Sequence, residues 1–160
     1  MPNEFSRLRV RPLTEEASCW RLFQPVNAPA EIHSSLMAST HDGIHGKLAL
    51  VAEDDRTVRN LVVRLLCRSG MRVLAAEDGA EALALARCCG TAVDLLITDY
   101  EMPRLNGGDL ASELRTLFPD IRIMIMSGVA QSTINASDTL FLQKPFSPTA
   151  LIDHVHSLLS

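Results

Sequence analysis

Residues 95–110 read LLITDYEMPRLNGGDL, and this stretch decides the fold. Leu95-Leu96-Ile97-Thr98 is a short apolar run ended by Asp99, which reads as a buried parallel strand. Leu110, Leu114 and Leu117 then recur at i, i+4 and i+7, marking a helix that stops before Pro119. A buried strand, a polar connection and an amphipathic helix make one unit of a parallel α/β sheet.

The same alternation extends in both directions. Leu48 to Ala52 reads as a first strand, followed by a helix from Thr57 to Ser69 with Val58, Leu61, Val62 and Leu65 on one face and Gly70 as its stop. Arg72 to Ala76 is a second strand. Asp78 then caps a helix, with Glu81 three residues on as in a capping box and Gly90 at its end. Asp94 to Thr98 is the third strand. Ile121 to Met126 is apolar throughout, as expected of a strand covered on both faces. Thr139 to Gln143 is the last strand, and Ser147-Pro148 opens a final helix whose Leu151, Val155 and Leu158 face inward. Strand and helix alternating five times predict a right-handed, doubly wound, five-stranded parallel sheet.

Residues 1–46 break this pattern with four prolines and scattered arginines, and are expected to form an N-terminal extension that is disordered or loosely ordered. Within it, Thr14 to Phe23 is long enough for one short helix. His41 and His45 are expected to be solvated loop histidines, because Gly43 lies between them. Met37 is an alternative start. With 160 residues, 47% of them hydrophobic, the chain is long enough for one domain with a real core. A formal charge of −4 gives no electrostatic reason to expect nucleic acid as a partner. The longest apolar runs fall short of the roughly 20 residues that cross a bilayer, and the N-terminus lacks a signal-like apolar segment, so a cytoplasmic protein is expected. Four cysteines without CxxC spacing are expected to be free, buried thiols.

Ligand sites of open α/β sheets lie beyond the carboxyl ends of the strands. Glu53 and Asp54 follow the first strand, Asp99 ends the third, Ser127 follows the fourth and Lys144 the fifth. Three carboxylates and one cation therefore converge on one pocket. Hard oxygen ligands suit Mg²⁺, and phosphoryl transfer to a carboxylate depends on positioning and charge compensation. Asp99 is the candidate acceptor, with Lys144 and the Ser127 hydroxyl compensating charge on the phosphoryl oxygens. Asp55 is expected to cap the first helix rather than to bind metal.

From Lys47 to Ser160 the chain resembles a receiver domain of a two-component response regulator, a CheY-like, flavodoxin-like fold. The resemblance is carried by LALVAEDD, by Asp99 within the D-x-x-M-P-x-x-x-G pattern, by IMIMSG and by FLQKPF. It implies Mg²⁺ held by Asp54, Asp99 and the backbone carbonyl of Glu101, with Glu53 reaching it through water. It also implies a histidine kinase or histidine phosphotransfer protein as phosphoryl donor, a cis peptide at Lys144-Pro145, and a switch coupling Ser127 to Phe141. Glu101 and Val129 take the positions that tune the lifetime of the phosphorylated form. A signalling module, monomeric or weakly dimeric, is expected rather than an enzyme. With no output domain after Ser160, it is expected to act by protein contact on a downstream target.

Two alternatives stand beside this one. A degenerate receiver would bind partners without phosphorylation. An aspartyl-phosphate phosphohydrolase would carry its nucleophile on the first strand, whereas the candidate here lies on the third. One departure from the family is visible: Ser127 and Lys144 are 17 positions apart (144 − 127), fewer than is common. Gly128 to Asp138 supplies 11 residues for the crossover, so the helix between the fourth and fifth strands is expected to be shortened or absent.

Overall fold

A computed structural model describes residues 43–128 and 139–160. The Thr14–Phe23 helix, His41, Val129 and the shortened crossover helix lie outside the described residues. Five strands form one parallel sheet in the order β2-β1-β3-β4-β5: β1 (Leu48–Ala52), β2 (Arg72–Ala76), β3 (Leu95–Asp99), β4 (Arg122–Ser127) and β5 (Thr139–Gln143). Every residue of β1 and β3 is buried, because both strands are covered on both faces. This is why their sequences read as unbroken aliphatic runs.

Four helices flank the sheet among the described residues: α1 (Arg56–Arg68), α2 (Gly79–Cys88), α3 (Gly107–Leu117) and α4 (Pro148–Leu159). Helices α2 and α3 cover one face, around Leu50, Leu96, Leu110 and Ile123. The other face packs Val51, Leu66, Ile97 and Leu151 beneath α1 and α4. The caps follow the sequence. Asp55 accepts from the backbone amides of Thr57 and Val58, Asp78 from those of Ala80 and Glu81, and Ser147 from that of Ala150 with Pro148 in the first turn. Ile44 is 2% exposed, so the packed core begins ahead of Lys47. His45 is exposed, in keeping with a solvated histidine, with its ring over Gly70.

Three expectations are corrected. Leu61 is 40% exposed: the face of α1 that meets the sheet runs through Val62 and Leu66, one position round from the expected stripe. Leu117 is also 40% exposed, because the last turn of α3 leaves Phe118 to pack against the core in its place. The thiols of Cys67, Cys88 and Cys89 are free but not buried, since they sit at the outer ends of α1 and α2 rather than under the sheet.

Candidate functional site

The carboxyl ends of β1 and β3 meet where the strand order reverses, on either side of the first crossover. Carboxylate oxygens of Glu53, Asp54 and Asp99 lie within 4.8 Å of one another there. Unit charges about 4 Å apart repel by roughly 1 kcal/mol in water and roughly 4 kcal/mol near a protein surface, so three such groups need a cation. Lys144 supplies one from the end of β5. Its Nζ donates to Glu53 Oε2 at 2.7 Å and lies 3.1 Å from Asp99 Oδ2.

Burial divides the roles. Glu53 is completely buried, Asp99 is 9% exposed, and Asp54 stands open to solvent. Burial pushes the Glu53 carboxyl above its usual range, with Asp99 adding to the rise and Lys144 opposing it. Burial works against the Lys144 ammonium, but the two carboxylates outweigh it and its pKa is raised. Both oxygens of Glu53 are engaged, Oε2 by Lys144 and Oε1 by the Asp55 amide at 3.2 Å. Exposed Asp54 and the nearly buried Asp99 beside it offer hard oxygen donors, a donor set that fits Mg²⁺ with part of its shell as water.

The remaining candidates fall around this group. Ser127 ends β4, is 4% exposed, and its carbonyl accepts from the Lys144 amide at 2.8 Å. Phe141 is paired in register with Ile125, two residues before Ser127, so Phe141 and Ser127 lie on the same face of the sheet. Phe141 is half-buried against the core beside α2 and α3. The side chain of Glu101 is exposed in the turn after β3 and lies outside the carboxylate cluster. The Lys144–Pro145 peptide is cis.

Sequence reasoning missed Arg59. Its guanidinium donates to the backbone carbonyls of Glu53 and Asp54, at 3.2 Å for the latter, and ties the acidic turn to α1. Once Asp55 is accepted as the helix cap, an arginine four residues later is the one signal available. Gly107 closes the D-x-x-M-P-x-x-x-G pattern, and the backbone gives its reason: a Cβ there would stand 2.2 Å from the Asp99 carbonyl oxygen, so only glycine lets α3 begin this close to the acceptor strand.

A family model described as the response regulator receiver domain matches residues 49–156. The chain belongs to that family. The response regulator receiver protein CpdR of Brucella abortus (strain 2308) is 32% identical over 118 residues, which cover 71% of this chain and 97% of that protein. The sensor kinase CckA of the same organism is 32% identical over 138 residues, or 83% of this chain but 15% of the kinase. Among solved structures, the receiver domain of hybrid histidine kinase CckA superposes with a TM-score of 0.63 at 34% identity, over 71% of this chain and 99% of that one. The Thermotoga maritima response regulator TrrA, solved in complex with Mg(2+)-BeF, gives a TM-score of 0.62 at 29% identity over 71% of this chain and 99% of its own. The protein thus carries a receiver domain of two-component signal transduction, a signalling module. Receiver domains bind Mg²⁺ at an acidic pocket and work with histidine kinases or phosphotransfer proteins. Among the described residues no helix is long and apolar enough to cross a membrane.

Proposed function

We propose that this receiver accepts a phosphoryl group on Asp99 from a phosphohistidine of a histidine kinase or phosphotransfer protein. The observation that carries the reading is Lys144, whose ammonium sits between the carboxylates of Glu53 and Asp99 at the strand ends. A carboxylate oxygen of Asp99 attacks phosphorus, the P–N bond breaks as the P–O bond forms, and the imidazole leaves. Lys144 and the Ser127 hydroxyl offset charge on the phosphoryl oxygens. Asp54, Asp99 and the Glu101 carbonyl would hold Mg²⁺, with Glu53 joining through water. The ion would neutralise the phosphoryl oxygens. TrrA, solved with Mg(2+)-BeF, supports this assignment.

Residues 47–160 are assigned as the receiver, led into by the packed Ile44, with an extension before it. The phosphorylated form acts by protein contact, with Ser127 and Phe141 as its two-state element. The test is phosphotransfer from a panel of purified phosphorylated kinases and phosphotransfer proteins. Label is expected to move to the wild-type protein and not to Asp99→Asn. A protein that takes label from no donor, acetyl phosphate included, is a degenerate receiver, and the proposal fails.

A further inference from the structure

We propose that Arg104 is a positioning residue. Through Asp78 it holds the loop after β3 against the start of α2, fixing the backbone that presents Asp99 and the Glu101 carbonyl. The part concerning Mg²⁺ rests on the function proposed above.

Arg104 has φ of 68°, and among the described residues it is the one non-glycine at positive φ. An arginine enters the left-handed region only where its surroundings hold it there. What holds it is Asp78, which is 1% exposed. Oδ1 of Asp78 accepts from the Ala80 and Glu81 amides at 2.8 and 2.9 Å. Among the described residues Oδ2 is buried without a hydrogen-bond donor, and the Arg104 guanidinium is its ion-pair partner. A buried carboxylate oxygen with no other counter-charge among the described residues gives a largely exposed arginine a strong reason to remain.

Backbone packing shows how little room the loop has. A Cβ at Gly79 would lie 2.4 Å from the Leu105 carbonyl oxygen, and one at Gly107 would lie 2.2 Å from that of Asp99. The loop is therefore held against the start of α2 at Leu105, and its far end closes on Asp99 at Gly107. Inside the loop the Leu105 amide donates to Pro103 at 2.8 Å and the Gly107 amide to Tyr100 at 3.1 Å. The Arg104–Asp78 pair closes this arrangement from the outside.

Arg104→Gly and Asp78→Asn test the clamp. Glycine suits the backbone angle and asparagine keeps the helix cap, so both variants remove the pair without new strain. In metal-free protein, hydrogen exchange is expected to show loss of protection at the Leu105 and Gly107 amides in Asp78→Asn. Mg²⁺ titrated calorimetrically is expected to bind Arg104→Gly roughly 10-fold more weakly, as when a supporting partner of a metal site is lost. The double variant is expected to bind no more weakly than either single one. A charge effect alone acts oppositely, since removing a cation near the pocket tightens Mg²⁺ binding. Unchanged protection overturns the clamp, as does Mg²⁺ affinity in Arg104→Gly that is unchanged or higher, even if the variant melts earlier. Failure of the wild-type protein to bind Mg²⁺ overturns the proposed function instead, while the exchange measurement still decides the clamp.

Discussion

Two acidic clusters of equal size stand at the same end of the sheet. Glu53, Asp54 and Asp99 gather at the ends of β1 and β3, while Glu77, Asp78 and Glu81 gather after β2. Counted as carboxylates they look alike, and hydrogen bonding separates them. In the second cluster Asp78 Oδ1 caps α2, Glu81 Oε2 accepts from the Glu77 amide at 2.8 Å, and Asp78 Oδ2 faces Arg104. Its oxygens serve the helix start. In the first cluster the neutralising group is the Lys144 side chain, and exposed Asp54 stands beside the nearly buried Asp99. Proximity of carboxylates is thus a weak sign of a metal site by itself, and what separates the two clusters is that the second spends its hydrogen bonds on a helix start.

The largest expected contrast is in phosphorylation. Asp99→Asn should abolish labelling by acetyl phosphate while its circular dichroism stays that of the wild type, because asparagine keeps the volume. Glu81→Gln should label as wild type does. Loss of labelling in Glu81→Gln would erase the distinction between the clusters.

Mg²⁺ sharpens the comparison next. A ligand at 100 times its Kd adds about 2.7 kcal/mol to the native state, which is several degrees of Tm for a domain this size. The shift should be absent in Asp54→Asn and intact in Glu81→Gln, as read by thermal melts with and without millimolar Mg²⁺. Equal shifts in both variants would move the ion away from Asp54.

Lys144→Ala leaves buried Glu53 without its cation and should lower metal-free stability by about 2 kcal/mol, discounted from a fully buried pair because Lys144 is partly exposed. Mg²⁺ should recover part of that loss, and urea unfolding with and without Mg²⁺ measures both quantities.

The smallest effects are those of pH on the metal-free protein. The Glu53 pKa is raised by burial, so its stabilising contribution is complete below the unfolded value near 4.5 and is lost as pH rises through the folded value. Asp55 is lowered by the Val58 and Thr57 amides, so its contribution is present above 3.8 and is lost as pH falls through the folded value. Melting curves against pH should lose the first slope in Glu53→Gln and the second in Asp55→Asn.

Much of this was legible in the chain. Strands β1, β2 and β5 span the residues expected of them: β1, covered on both faces, is apolar and buried throughout, whereas the edge strands β2 and β5 each carry a polar residue at an exposed end beside a short apolar stretch. The residues converging on the pocket were legible for a related reason: each lies at or just past the carboxyl end of a strand, and the topology puts strand ends together. Leu61 and Leu117 were misplaced because a helical stripe wide enough to include them is narrower in the packed molecule. Arg59 and the Arg104–Asp78 pair were invisible because their partners are backbone carbonyls and a carboxylate on another element, contacts that depend on the path of a loop.

The most direct test of the central claim is chemical mapping of the phosphorylated residue. Protein treated with acetyl phosphate and Mg²⁺ is reduced with borohydride, which converts an aspartyl phosphate to homoserine, and its peptides are sequenced. Homoserine at position 99 alone is the predicted result. Homoserine at position 54 or 78, or at none, would contradict the account.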